Sequence, residues 1–478
     1  MAEFFLRSLT VSQVMLLRAA RAAAGRGVEV ALVGGVVRNA LLGRGSVDVD
    51  VAVPRGAVEL ARRVADRTGG AFVLLDEGRG TARVVLGGHR LDVADFRAPD
   101  LAGDLGARDF TVDALAVALR PLLRAGRAPI VDPLGGLRDL RARRLRLTGP
   151  GALADDPVRG LRGARLASSL GFGLARASAR AIRAGASSLG RVAAERMRDE
   201  LTAMLALPSS AGALRLADRL GLLEVVLPEI GPMRRTAQPA PHRFDVLEHS
   251  LRAVAGADRV LGQLGALAPF GEDLARHFSE TLGGGIDRGQ SLRLAALLHD
   301  VAKPQTRRRI AGRVRFFEHD VRGAARARAI GERLRLPERV TAVVERLVRH
   351  HLRPMHLGAA AAVTPRARYR FFRDLGAEAR DLVVLALADA AAVTGASPLA
   401  TWRRAALLRD LMAGWAEQRE VAAAPPLVRG GDVMARYGLV PGPEVGRLLA
   451  RAREAQALGR VRTREEALAY LDSVRAGS

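Results

Sequence analysis

The chain has 478 residues, 49% of them hydrophobic and 26% charged, enough for three or four domains with sizeable cores. Its 75 Lys and Arg against 50 Asp and Glu leave a formal charge of +25, which favours a polyanionic partner such as nucleic acid. It has no cysteine, which excludes a disulfide framework, a zinc ribbon, an iron–sulfur cluster and a thiol nucleophile. Lys303 is the only lysine, so part of the charge reflects a general bias toward Arg. No stretch reaches ~18 uninterrupted apolar residues. Arg7, Arg18 and Arg21 break the N-terminal segment, and a soluble, cytoplasmic protein without a membrane partner is expected.

In chain order, residues 11–24 read as an amphipathic helix. The runs VEVALV (28–33), VDVDVAV (47–53), ARVVL (82–86), HRLDVADF (89–96) and APIVD (128–132) read as short strands among helices. Beyond about residue 150 strand signals nearly vanish, and 156–170 and 191–207 carry helical i, i+3, i+4 apolar spacing. Breaks fall at Gly149-Pro150, Pro239-Ala240-Pro241 and Ala424-Pro425-Pro426, while Gly283-Gly284-Gly285 marks a loop. The expected division is an N-terminal helix (1–25), a mixed α+β head (26–148), a helical neck (149–238), a histidine-rich helical domain (239–398) and a helical tail (399–478).

Within the head, the strand ending in Gly34-Gly35 turns into a helix. A glycine pair at such a turn lets a phosphate approach the backbone, and the helix start favours anions. Arg38 falls in the first helical turn, within reach of a triphosphate. Asp48 and Asp50 stand two residues apart on the next strand, so both carboxylates point to one face and fit a two-Mg²⁺ site. A glycine pair or an Asp-x-Asp alone is more often a turn or a solvated strand edge. Asp92 is a candidate third carboxylate, with Asp95 its competitor.

Gly34-Gly35-x-Val37-Arg38, Asp48-x-Asp50, Arg108-Asp109-Phe110-Thr111, Asp132-Pro133-x-Gly135-Gly136 and Asp155-Asp156-Pro157-x-Arg159 follow one another in order. Together, over about residues 28–235, they resemble the class II tRNA nucleotidyltransferases and the similar bacterial poly(A) polymerases. The resemblance implies a polymerase-β-like sheet in the head. It implies that Asp48 and Asp50 hold Mg²⁺, that Gly34, Gly35 and Arg38 contact the triphosphate, that Arg108 and Asp109 contact the ribose, and that Asp156 and Arg159 read the base. Cytosine and adenine share an exocyclic amine beside a ring-nitrogen acceptor, so a carboxylate and a guanidinium would select both together. The DDPVR segment also reads as a helix cap, with Asp155 or Asp156 capping and Pro157 at the first helical position. The chain departs from the family pattern at Asn39, Ala107 and Asp155, where an acidic residue, an Arg and a Glu are usual.

Eight of nine histidines lie between His242 and His356. His249, the pair His299-Asp300 after an apolar run, and Asp389 on a hydrophobic helix offer imidazoles and carboxylates suited to a divalent transition metal. A lone His on such a helix is usually a core residue. The full pattern resembles the HD phosphohydrolases, in which His249, His299, Asp300 and Asp389 would be core ligands, with His319 and either His350 or His351 at a second metal. Lys303 suits a place near bound phosphate.

The reading is template-independent addition of C and A from CTP and ATP to the 3′ end of the tRNA acceptor arm, held by Arg–phosphate contacts. The alternatives are CC-only or A-only addition, poly(A) synthesis, an HD phosphodiesterase with an RNA-binding head, and an RNA-binding protein with a vestigial head. The basic-aromatic segment usual in poly(A) polymerases is absent from LLDEGRGTARVVLGGHRLDVADF.

Overall fold

The computed structural model describes residues 2–46, 48–360 and 362–476. The chain divides into two units, Met1–Glu200 with Leu216–Val226, and Leu201–Arg215 with Leu227–Ser478.

The first unit is built on one mixed sheet. Its strands are β1 (Glu3–Phe5), β2 (Ala31–Val33), β3 (Asp48–Val53), β4 (Ala71–Asp76), β5 (Thr81–Leu86), β6 (His89–Asp95), β7 (Ala116–Ala118) and β8 (Arg127–Val131). They run in the order β1-β8-β7-β2-β3-β6-β5-β4. All pairs are antiparallel except β3 with β6. The two faces differ as the period of two demands. Val49, Val51 and Val53 of β3 join Leu91 and Val93 of β6 in the larger core. Four helices contribute to that core: α1 (Val11–Ala23), α2 (Gly35–Leu41), which follows β2 and adds Val36 and Val37, α3 (Ala57–Thr68), and the short helix Leu119–Ala125 with Leu119 and Leu122. The opposite face carries small residues, Ala31, Val33, Ala52 and Ala116, closed at one side by Phe96, Leu101 and Leu105. That face also carries Asp48 and Asp50, and its small side chains leave room for a ligand.

The expected strand at 28–33 shortens to β2, and β1, β4 and β7 were not read from the sequence. β1 and β7 have three residues each, too few to show alternation, and β4 is a continuous apolar run at the sheet edge. From residue 144 onward only short strands occur among the described residues, in keeping with the near absence of strand signals. Arg144–Leu145 pairs with Gly173–Leu174, Thr281–Gly283 with Ile286–Asp287, and Arg307–Ile310 with Arg313–Phe316. Each of these strands has two to four residues, too few for apolar alternation to reveal them. Helices α4 (Arg159–Leu170) and α5 (Ala194–Leu205) fall where helical spacing predicted them.

The second unit is helical. Helices α6 (Val246–Leu261), α7 (Arg288–Leu298), α8 (His319–Arg333), α9 (Glu338–His350) and α10 (Glu378–Thr394) form its centre. α7 is buried on every side, and Asp287 and Gln290 close a capping box at its start. Further along, the helices Gly430–Tyr437, Pro443–Ala457 and Arg464–Ala476 pack around Val433, Val445, Leu448 and Leu471. Among the described residues no single helix is long and apolar enough to cross a membrane.

Two glycine substitutions test how the motif loops are packed. A Cβ on Gly136 would lie 2.1 Å from the carbonyl oxygen of Thr111, whereas one on the helical, exposed Gly446 would meet nothing. Gly136→Ala is expected to cost about 1–3 kcal/mol, and Gly446→Ala to gain about 0.5–1 kcal/mol. Thermal melts of the two variants against the parent check both signs.

Candidate active site

β3 and β6 are in register with Asp50 beside Asp92. Neighbours in register point to the same side of a sheet, so Asp48, Asp50 and Asp92 share one face. Arg83 donates to both oxygens of Asp92, at 2.7 and 2.8 Å. Arg90 Nε stands 2.6 Å from Asp48 Oδ1. Asp50 has no ion-pair partner among the described residues. Its burial and the charges of Asp92, Asp48 and Asp113 push its carboxyl up to about 6, against the pull of Arg108. Asp48 Oδ1 is buried and accepts no hydrogen bond of good geometry. This surplus of negative charge and unsatisfied oxygen fits a divalent cation. Asp95 plays a different part, since its Oδ1 accepts from the backbone N–H of Ala57 (2.8 Å) at the start of α3.

Gly34 stands just before α2 with φ +76°. A Cβ there would lie 3.1 Å from Arg108 Nη1 and 3.4 Å from Asp50 Oδ2, so both conformation and closeness call for glycine. Arg38 is buried and engaged inward, donating to Asp113 and to Asn39 Oδ1. Arg108 is held by the buried Asp104 (3.0 Å), one helical turn before it. Asp109 accepts from Arg162 (2.8 Å), which also donates to Glu200 (3.0 Å). Burial would raise the Asp109 carboxyl, but the Arg162 charge holds it below the usual carboxylate range.

Arg159 donates to the carbonyls of Ala107 (2.8 Å) and Ala152 (3.1 Å), tying α4 to the Arg108-Asp109 turn. Asp156 accepts from Arg196 (2.7 Å), in the first turn of α5. The expected cap is different from the observed one: Asp155 ends a short helix, Asp156 is extended, and α4 starts at Arg159 after Val158. Asp156 Oδ1 accepts only a long bond from the N–H of Val158 (3.3 Å). Sequence reasoning missed Asp104, Asp113, Arg162 and Arg196. The first three stand three or four residues from Arg108, Asp109 and Arg159, a signal that is faint where charge is everywhere. Arg196, forty residues from Asp156, gave no such signal.

In the second unit α6, α7 and α10 bring together His249, His299, Asp300 and Asp389. His249 Nε2 lies 3.0 Å from Asp389 Oδ1 and 3.2 Å from His299 Nε2. Asp300 faces two ways. Its Oδ2 is 3.3 Å from His299 Nε2, while its Oδ1 is 3.4 Å from His319 Nε2 and 3.7 Å from His351 Nε2. Two ligand groups result, His249–His299–Asp389 and Asp300–His319–His351. Three imidazoles donate Nδ1–H to the carbonyl three residues back: His299 to Ala296 (2.9 Å), His319 to Phe316 (2.7 Å) and His351 to Val348 (2.7 Å). Their Nε2 atoms are thereby left as acceptors aimed inward. Both Asp300 oxygens and the Nε2 atoms of His319 and His351 are buried without a hydrogen bond. These residues fit divalent metal. Burial opposes a charge on His299, but the neighbouring Asp300 and Asp389 carboxylates push its imidazole up to about 9. Of the adjacent pair it is His351 that faces the cluster, and His350 lies outside both ligand groups. Lys303 Nζ is 2.6 Å from Asp300 Oδ2 and donates to Gln238 Oε1 (2.7 Å).

Residues 30–146 match the poly A polymerase head domain, 171–233 the probable RNA and SrmB-binding site of polymerase A, and 246–393 the HD domain. An A-adding tRNA nucleotidyltransferase of Deinococcus radiodurans is 39% identical over 92% of this chain and 94% of its own length. A CC-adding tRNA nucleotidyltransferase of Thermus thermophilus is 38% identical over 92% of both chains. Among solved structures, a CCA-adding enzyme complexed with ATP shares the fold with a TM-score of 0.62 at 19% identity, covering 99% of each chain.

The two-sided position of Asp300 predicts the metal stoichiometry of the second unit. Counted by elemental analysis after Mn²⁺ loading and desalting, Asp300→Ala is expected to lose two ions per chain. His351→Ala should lose one, and His350→Ala none.

Proposed function

The chain belongs to the tRNA nucleotidyltransferase family, and on that premise we propose that it adds C or A nucleotides from CTP or ATP to the 3′ end of tRNA and releases pyrophosphate. The observation that carries the reading is the in-register meeting of Asp48, Asp50 and Asp92 beside the bare backbone of Gly34 and the guanidinium of Arg108.

In this reading Asp48 and Asp50 hold Mg²⁺, which when bound neutralises triphosphate charge and lowers the pKa of an attacking hydroxyl. Gly34 and Gly35 let the phosphates approach the start of α2. Arg108 faces the same space, with Arg97 near enough to interact with it electrostatically. The tRNA 3′-hydroxyl attacks the α-phosphate in line, the bond to the β-phosphate oxygen breaks, and pyrophosphate leaves. Asp109, fixed by Arg162, orients the ribose. Asp156 and Arg159 read the base, and the partners seen for them set their direction: Arg196 orients the carboxylate, and the carbonyls of Ala107 and Ala152 orient the guanidinium. Arg38 is engaged with Asp113, its Nη2 3.4 Å from where a Cβ on Gly35 would stand, and in this reading it turns to the triphosphate when the nucleotide binds. A cytoplasmic site of action follows from a tRNA substrate.

The narrower variant, one nucleotide type per enzyme, has a specific observation in its favour. The relatives aligned over 92% of this chain are named A-adding or CC-adding. The HD cluster supports a second activity, hydrolysis of phosphate esters with a divalent transition metal.

Transcripts of tRNA ending before the first C, or after the second C, are incubated with CTP, ATP or both, and the products are sized. Growth on one transcript only, with one nucleotide only, is the outcome for divided labour. Three added nucleotides indicate complete CCA addition, and long adenosine tails contradict the tRNA reading. Asp48→Ala is expected to slow addition about a thousandfold while leaving phosphate-ester hydrolysis intact, and Asp300→Ala to do the reverse. Asp156→Ala and Arg159→Ala are expected to relax discrimination against UTP and GTP more than they slow addition.

A further inference from the structure

The two-stranded hairpin Arg307–Ile310/Arg313–Phe316 stands beside the HD cluster and carries five arginines in ten residues. All five are exposed, and none has an acidic partner among the described residues. Arg309 donates only a long bond to the Gly312 carbonyl (3.4 Å). Several neighbouring arginines of the same unit are paired, Arg328 with Glu345, Arg346 with Glu378 and Arg353 with Asp374, while five unpaired ones gather on this one hairpin.

Register sharpens the contrast. Arg308 lies directly opposite Arg315, and Arg313 opposite Ile310, so Arg308, Arg313 and Arg315 share one face. Like charges opposed on a ladder destabilise it. The turn adds strain, because Ala311 (φ +47°) takes a left-handed conformation that side chains other than glycine rarely adopt. A fold that keeps three unpaired cations on one strained hairpin is arranged for an anion brought from outside.

The base of the hairpin is joined to the metal ligands. The Phe316 carbonyl accepts from His319 Nδ1 (2.7 Å), and the Phe316 ring, on the hairpin face opposite Arg308, Arg313 and Arg315, lies 5.5 Å from Lys303 Nζ, which is itself 2.6 Å from Asp300. Just beyond, the side chain of Phe317 is 53% exposed, an aromatic face left to solvent beside the rail of cations. A cationic groove plus an exposed ring is how proteins hold single-stranded nucleic acid without reading its sequence.

We infer that the hairpin Arg307–Phe316 is a phosphate-backbone rail, with Phe317 as its stacking platform, that carries the single-stranded 3′ end of an RNA bearing a terminal phosphate ester to the HD cluster. The inference rests on the phosphohydrolase reading of that cluster and supplies its substrate class.

The test uses the full chain loaded with Mn²⁺ and two substrates, a single-stranded RNA decamer with a 3′-phosphate and p-nitrophenyl phosphate, which has no backbone. In R308E/R313E/R315E the ratio of kcat/KM for RNA over p-nitrophenyl phosphate should fall at least about tenfold, chiefly through KM. Its salt dependence should flatten by about two logarithmic units per decade, at ~0.7 for each phosphate no longer neutralised. R308K/R313K/R315K should restore most of the ratio. In parallel, the decamer carrying 4-thiouridine next to its end should photo-crosslink within residues 307–317 of the parent chain. An unchanged ratio, a lysine variant as poor as the glutamate variant, or crosslinks elsewhere only would each overturn the rail. Crosslinking to the hairpin with no phosphate released from either substrate would uphold the rail as an RNA site and overturn the hydrolytic reading instead.

Discussion

Two parallel strands in register force carboxylates together. With Asp50 beside Asp92 and Asp48 two residues away on the same face, like charges about 5 Å apart repel by roughly 3 kcal/mol at the effective dielectric of a protein surface. The sheet does not relieve this by spacing the groups. It answers with counter-charges: Arg83 on Asp92, Arg90 against Asp48, and Arg108 held near Asp50 by Asp104. Asp50 alone is left without a paired cation, and its carboxyl is pushed up accordingly. The opposite face admits no such crowding, since Val49, Val51 and Val53 anchor the strand in the larger core. The rigid apolar side is what keeps the charged side from splaying.

The second unit repeats the principle with different chemistry. Asp300 has one oxygen toward His299 and the other toward His319 and His351, so a single carboxylate joins two ligand groups. Backbone carbonyls three residues back fix each of these three imidazoles, and the orientation is therefore set before any metal arrives. Around both centres several arginines are held in ion pairs, among them Arg83, Arg108, Arg162, Arg328, Arg346 and Arg353. The hairpin beside the HD cluster gathers five arginines without an acidic partner among the described residues.

Much of this was legible in the sequence because the chemistry there has short-range spacing. Gly34-Gly35, Asp48-x-Asp50, Arg108-Asp109 and His299-Asp300 are local patterns; the first two lie on the turn and the strand that their neighbours predict, and His299-Asp300 closes the apolar helix before it. Asp92 and Asp95 could not be ranked from sequence, since both fall on β6 and only pairing with β3 shows which faces Asp50. His350 and His351 posed the same problem at a helix end, where one residue rotates the side chain by about 100°. The supporting arginines were hidden for another reason. In a chain with a single lysine and Arg on every surface, Arg162 and Arg196 look like any other solvated cation until long-range packing brings Asp109, Glu200 and Asp156 to them. The basic hairpin was hidden because its strands have four residues each, too few for the alternation of Arg313-Val314-Arg315-Phe316 to stand out.

The account turns on whether the carboxylates of β3 and β6 form a metal seat. Iron-mediated cleavage of the protein backbone measures that directly: Fe²⁺ replaces Mg²⁺, ascorbate and peroxide generate hydroxyl radicals, and the cut sites are mapped by mass spectrometry. In the presence of ATP or CTP, cuts are predicted around residues 48–50, 91–93 and 33–35, and they should vanish in Asp50→Asn. Cleavage confined to the HD histidines, or cuts near β3 that persist in Asp50→Asn, would contradict the central claim.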